Sequence, residues 1–355
     1  MVVGPDGQLP LPWLEAPLRD ALAQRRGHAL LVQAADGVGA MEFMLALAQG
    51  WLCEAPQGAR PCGRCDACRL LQARSHSDLL LLLPEALRVS LGWAGQGEDD
   101  AADGSKSRRK PSRQIRIDEV RSAIDWVAQS SARGRAKVVL IHPAGALNLQ
   151  AASALLKTLE EPPGQARLLL STTDEASLLP TVRSRCQRIR LTAPPHAQAV
   201  QWLQAQGVGD AAVLLAAAGG APLAARELAA AGIDAGTWSA LPRAVSHGRA
   251  QVLAGWPLPR AIDALHKLCH DAMLAAVGGA PRYFAAQAVP PGATLPALVA
   301  WRKSLSRAAR HDEHPWNEAL LLEALVLEGR ACWQEATTAA ARGARGGRGL
   351  DTLAR

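Results

Sequence analysis

Four of the seven cysteines fall within sixteen residues, as Cys53-x8-Cys62-x2-Cys65-x2-Cys68, while Cys186, Cys269 and Cys332 are scattered. Two Cys-x2-Cys steps sharing Cys65 place thiolates on a tight turn, and Cys53, at the end of the preceding helix, can close a tetrahedral site of four sulfurs. Four sulfur ligands leave no coordination position open, so the zinc such a site takes is structural rather than catalytic. Clustered thiols in a reducing compartment serve more often as metal ligands than as disulfides. Pro61, Gly63 and Arg64 suit a compact knuckle, with Arg60, Arg64 and Arg69 to offset its negative charge. The alternative is four core cysteines without metal.

A second chemistry is recognisable by its missing parts. The stretch QAADGVGAMEF, residues 33–43, follows an apolar run and precedes a helical one. That is the setting of a phosphate-binding loop, which reads Gly, four residues, Gly-Lys-Ser/Thr: backbone N–H groups and the lysine cradle phosphates while the hydroxyl holds magnesium. Here Gly39 is kept, but Ala34 stands at the first glycine, Ala40 at the lysine and Met41 at the hydroxyl, and Asp36 inside the loop repels phosphate. The apolar strand Lys137-Val-Val-Leu-Ile-His142 ends in Pro143, where an ATPase carries the carboxylate that grips magnesium or activates water. Both halves of a nucleotide site are chemically absent, the pattern of a retired site. A third candidate is Arg185, in Thr181-Val-Arg-Ser-Arg-Cys186 between a helical turn and a short strand. An arginine there either forms a surface ion pair or reaches out of its own subunit towards a neighbour's phosphates.

These residues must be positioned by elements, and the first 193 residues alternate apolar strands with amphipathic helices. That predicts an α/β domain with a largely parallel sheet and helices on both faces. Strands are expected at 29–33, 78–83, 136–142, 167–172 and 187–191. Helices are expected at 40–52, 65–73, 117–128 and 148–160, the last capped by Asn148 and stopped by Pro162-Pro163. After Pro194-Pro195 the strand signals vanish, and the pattern is helical. The expected divisions are 1–193, the α/β domain carrying the degenerate loop and the cysteine module; 194–236, a small all-α domain; 237–338, a larger all-α domain; and 339–355, a flexible basic tail.

The chain of 355 residues is 49% hydrophobic, enough for two or three cored domains. No run of about 18 apolar residues is uninterrupted, and the first residues lack a basic segment followed by an apolar one; the expectation is a cytoplasmic protein with no membrane partner. A net charge of +7 and a pI near 9.3 favour an acidic partner such as nucleic acid. Part of the excess lies in 92–113 and 342–349, whose Gly, Ser and charge blocks read as solvated, disordered segments.

The Gly37-Val38-Gly39 remnant, the four-cysteine module after the first helix, the block Leu147-Asn-x4-Ser-Ala-Leu-Leu-Lys157-Thr-Leu-Glu-Glu161-Pro-Pro163 and Ser184-Arg185-Cys186 together resemble the clamp-loader subunits of the AAA+ class, in particular those of the bacterial DNA polymerase III loader. The resemblance is close over about residues 27–195 and architectural beyond, where it implies a helical lid and a helical collar domain for hetero-oligomer assembly. It implies a subunit that binds no ATP, with Leu223 where an active subunit carries its lid arginine. Arg185 is then an arginine finger acting in trans, with Ser184 and Cys186 shaping its turn, Cys186 as a packing thiol, and Lys157, Glu160 and Glu161 in interface and capping contacts. The implied partners are the gamma/tau motor subunits, the delta subunit, the sliding clamp and primed DNA, the last held through backbone phosphates. The chain would thus belong to a polymerase holoenzyme without a catalytic site of its own. Two other readings are an ATP-hydrolysing motor subunit of the same complex and a stand-alone zinc protein that binds nucleic acid.

Overall fold

The computed structural model describes residues 2–24, 27–93, 111–310 and 317–346, with side chains through 334 in the last segment. Most of the charged stretch 92–113 and the end of the basic tail, 347–355, lie outside the described residues. The chain divides between Pro194 and Pro195 into two compact units.

In the first unit a 3-10 turn, Pro12–Leu14, leads into α1 (Glu15–Gln24), followed by β1 (Ala29–Gln33), α2 (Ala40–Leu52), α3 (Asp66–Gln72), β2 (Leu79–Leu82), α4 (Glu85–Ser90) and α5 (Ile117–Val127). Then come β3 (Lys137–Ile141), α6 (Leu149–Glu160), β4 (Ala166–Thr172), the single turn α7 (Pro180–Arg183) and β5 (Gln187–Arg190). The five strands form one sheet in the order β2-β3-β4-β1-β5, every pairing parallel. Parallel neighbours need crossovers, and helices supply them. The three central strands are accordingly almost continuous apolar runs, ALLVQ, KVVLI and ARLLLST, buried nearly throughout. Alternate residues pack on opposite faces: Leu31, Val139, Ile141, Leu168 and Leu170 share a core with Val120, Ala123, Leu155 and Leu159 of α5 and α6. On the other face α2, with Phe43, Met44 and Leu47 buried, lies against β1, β3 and β4.

The expected strands and helices of this unit are present to within one residue at each end. Asn148 caps α6 by accepting the Ala151 N–H at 2.8 Å. The helices α1 and α4 have no clear sequence signal. The periodicity of EAPLRDALAQ is weak, and α1 is set by tertiary packing of Leu18 and Ala21 beside α2 rather than by pattern.

The second unit has no strand among its described residues. It comprises α8 (His196–Ala205), α9 (Ala211–Ala217), α10 (Pro222–Ala230), α11 (Ala235–Ser246), α12 (Leu258–Ala276), α13 (Leu295–Arg310) and α14 (Glu318–Gly346). Its core is built on Trp238, which stacks on Phe284 at 4.8 Å, and Trp301, whose indole N–H donates to the Leu325 carbonyl. Asp271 is fully buried, and its carboxylate accepts the N–H groups of Arg282, Tyr283 and Phe284, so it fixes a loop with its hydrogen-bonding capacity satisfied. Among the described residues no single helix is long and apolar enough to cross a membrane; α9 and α10 pass by length and composition only as a pair, bent by 108°.

Candidate functional site

The four cysteines converge. Cys53 follows the last turn of α2 and donates its N–H to the Gln49 carbonyl, Cys65 stands just before α3, Cys68 lies within α3, and Cys62 sits on the intervening turn. Their sulfurs all lie within 4.8 Å of one another, with Cys53 to Cys65 at 3.8 Å and Cys62 to Cys68 at 4.0 Å. A tetrahedral ion with metal–sulfur bonds of about 2.3 Å sets its sulfurs about 3.8 Å apart, so the donor set fits one metal ion. The N–H groups of Arg64 and Cys65 point at the Cys62 sulfur, at 3.5 and 3.3 Å. Burial opposes ionisation of Cys62, yet these donors outweigh it and bring the thiol down to about 6. Burial pushes Cys53 and Cys68 up. A bound cation would supply the charge that keeps these two as thiolates.

The module rests on the N-terminal segment. Gly63 has φ +69°, and a Cβ there would meet the Gly4 carbonyl oxygen at 1.8 Å, so only glycine allows that approach. Gln49 and Gln72 both donate to the Val3 carbonyl, at 3.0 and 2.9 Å, and Gln49 also accepts the Val3 N–H. Of the expected counter-charges, Arg60 bonds the Ala55 carbonyl and Arg69 lies 3.6 Å from Asp66. A further arginine near the cluster is Arg133, ion-paired with Glu54 at 2.6 Å and interacting electrostatically with Asp66 and Cys65. It comes from the turn before β3 and has no nearby sequence signal.

The degenerate loop has the expected strand, turn and helix around it. Gly37 and Gly39 take positive φ, and Gly39 caps α2. Ala34 and Met41, at the first-glycine and hydroxyl positions, are buried, and Ala40, at the lysine position, is half-buried. Leu11 and Leu14 lie against Gly39, and the Trp13 indole N–H donates to the Val38 carbonyl. His142, at the end of β3, shares a 2.6 Å hydrogen bond with Ser171 at the end of β4. Burial lowers its pKa to about 4, so near neutrality this end of the sheet offers no imidazolium charge to phosphate. Leu223 is a buried residue of α10 in the second unit.

Arg185 is positioned by α7 and the turn that follows it. Its Nε donates to Glu160 at 2.6 Å and its Nη2 to the same carboxylate oxygen; Nη1 donates to the Thr181 carbonyl at 2.9 Å and to the Ser184 hydroxyl at 3.4 Å. The side chain remains 31% exposed and its partner 49%. Cys186 belongs to the core beneath, where burial raises its thiol to about 11, and it is no part of the sulfur cluster. Glu160 ends α6, and its role as the holder of Arg185 has no local signal. The parallel register Leu30 to Gln187 sets Arg185 beside the N-terminal end of β1, whereas Ala34 to Met41 follow that strand's C-terminal end. Five strand residues span about 16 Å, so the arginine and its own chain's loop face opposite ends of the sheet.

A family model described as DNA polymerase III, delta subunit matches residues 15–195. The delta-prime subunit of DNA polymerase III from Escherichia coli is 33% identical over 278 residues, 72% of this chain and 76% of the relative. The Pseudomonas aeruginosa delta-prime subunit is 37% identical over 233 residues, 62% of each chain. The Escherichia coli tau subunit is 36% identical over 166 residues, 47% of this chain and 22% of its own length. The crystal structure of a DNA polymerase III gamma subunit-related protein from Thermotoga maritima is similar over 90% of this chain and 99% of its own, at TM-score 0.48 and 18% identity. The family match over half the chain, and identity across three quarters of the Escherichia coli relative, show that this chain belongs to the DNA polymerase III delta family, alongside the delta-prime subunits.

Proposed function

We propose that the chain is the delta-prime subunit of a DNA polymerase III clamp loader, one that binds no nucleotide and supplies Arg185 in trans to ATP held by an adjacent gamma/tau motor subunit. The observation that carries this reading is that Arg185 and the degenerate loop lie at opposite ends of β1: the guanidinium is out of reach of its own loop, and its side chain, paired with Glu160, is still 31% exposed. Ala40, Met41 and the neutral His142 before Pro143 support the second half, since neither a cation nor a carboxylate stands where phosphate and magnesium would need one.

In this reading a guanidinium with several N–H donors meets the charge that develops on the transferred phosphoryl group, an effect worth about a thousandfold or more in rate. Glu160 holds the guanidinium plane, while the Thr181 carbonyl and the Ser184 hydroxyl fix its far edge. The four thiolates hold a structural zinc that joins the end of α2 to α3 and stiffens the domain against the N-terminal segment. A domain that does not cycle through nucleotide states serves as a fixed wall for the motor subunits as they open the sliding clamp. The helices of 194–236 act as a lid and those of 237–338 as a collar for assembly with the motor and delta subunits, in the cytoplasm, on primed DNA.

The test is reconstitution with the other loader subunits and measurement of clamp- and DNA-stimulated ATPase for wild type and Arg185→Ala. Assembly is expected to be retained, with hydrolysis at the adjacent site lowered about a thousandfold. Unchanged hydrolysis would remove Arg185 from the mechanism.

A further inference from the structure

At the N-terminal ends of β1, β3 and β4, the end of the sheet away from the degenerate loop, lies a cleft of about 550 Å³. Three arginines from three separate segments line it: Arg60 from the loop before Cys62, Arg135 from the turn before β3, and Arg167 from β4. Each is anchored on a main-chain carbonyl. Arg60 donates to Ala55 at 2.6 Å, Arg135 to Glu54 at 3.3 Å and Arg167 to Gly27 at 3.3 Å, while the Arg167 guanidinium lies over the Trp51 ring at 4.7 Å. Carbonyl anchors fix geometry without cancelling charge. No aspartate or glutamate is among the described residues lining the cleft, and the nearby Glu54 carboxylate is engaged by Arg133. Other arginines of this unit, Arg88 with Glu119, Arg133 with Glu54 and Arg185 with Glu160, are ion-paired with carboxylates. The cleft therefore concentrates three uncompensated, preoriented cations in a concave, partly desolvated place, with the Arg167 guanidinium stacked on an aromatic face.

We propose that this cleft binds the phosphate backbone of single-stranded nucleic acid, its rigid guanidinium forks taking successive phosphates. Guanidinium groups suit carboxylates as well as phosphates, but an acidic peptide fits the site less well. The cleft opens on strand ends rather than on a sheet edge, so it offers no ladder of backbone groups with which an extended peptide could pair. The net charge of +7 also favours a polyanion. The proposal locates a nucleic-acid contact within the function proposed above and rests on that reading for its biological setting. Its test uses the isolated chain and no ATPase, so the two can fail separately.

The experiment is fluorescence anisotropy of labelled oligo(dT) with the full chain across a salt series. Compared with wild type are Arg60→Gln/Arg135→Gln, and Arg243→Gln/Arg249→Gln in the second unit as a control of equal charge change. The cleft pair is expected to weaken binding about tenfold and to flatten the log–log salt slope by about 1.4, about 0.7 for each single-strand phosphate that is no longer neutralised. The control pair is expected to leave both within error. Gln57→Glu, at the exposed rim, removes none of the anchoring hydrogen bonds and is expected to weaken binding as well, which covers a failure of the double variant to fold. Equal losses in both arginine pairs, or none in the cleft variants, would overturn the proposal. So would stronger competition by oligo-glutamate of the same length, which assigns the cleft to an acidic peptide, or full competition by pyrophosphate at equal phosphate concentration, which assigns it to a small phosphate ligand.

Discussion

The Arg185 and Glu160 side chains are part-exposed, and ion pairs of that kind contribute about 0–1 kcal/mol to stability. In the proposed role the pair would yield to a more highly charged phosphate while presetting the guanidinium plane. His142 gives a sharper handle on the opposite end of the sheet. Its pKa in the fold is about 4 against an ordinary 6.5, because burial disfavours the imidazolium. As pH falls below 6.5 the unfolded chain takes up this proton before the folded one does. Its stabilising effect is therefore whole above pH 6.5 and lost as pH drops through 4, at most about 3 kcal/mol in all. Denaturant unfolding between pH 7 and 4 is expected to show this loss in wild type and less of it in His142→Gln, which keeps a partner for Ser171. Parallel pH curves would mean that His142 ionises freely in the fold.

Among the elements, the cysteine module stands out because so little of it is regular structure. Between α2 and α3 it has one short 3-10 turn, Gln57–Ala59, so its order depends on the sulfurs, on the approach of Gly63 to Gly4 and on the clamp of Gln49 and Gln72 around Val3. Binding of a metal by four thiolates is then folding energy for this segment. Elemental analysis is expected to give about one zinc per chain, and removal by a strong chelator at low pH to lower the melting temperature by several degrees, with Cys62→Ser doing the same. A metal-free protein with unaltered melting and reactive thiols at Cys62 and Cys65 would defeat the assignment.

For the whole molecule, a strand, a turn and a helix surround Gly39, and in the proposed reading Ala40 and Met41 leave that turn without the groups that hold a nucleotide. A ligand present at a concentration equal to its dissociation constant stabilises a protein by only about 0.4 kcal/mol, and a tight ligand at a hundredfold excess by about 2.7. Millimolar Mg-ATP is therefore expected to leave the thermal transition of the isolated chain unmoved. A rise of several degrees would return the motor-subunit reading to the front. Each unit carries its own apolar core, one on the sheet and one around Trp238 and Trp301, so that transition is expected to be sensitive to both.

The sequence by itself determined what acts within a few residues. The apolar runs of the central strands, the cap of α6 at Asn148, the strand, loop and helix around Gly39 and the spacing of the four thiols are all local patterns, and local sterics and burial suffice to turn them into structure. The family resemblance was legible for the same reason, since it rests on short contiguous blocks. Pairings across the fold were left to the tertiary structure. Glu160 meets Arg185, Gln72 meets Val3, and Trp51, Arg60, Arg135 and Arg167 share one cleft, because the packing of strands, helices and loops in the first unit brings together segments distant along the chain. Charge marks Glu160 and the arginines as surface residues in the sequence, and only the packing of the whole unit decides which side chains face one another.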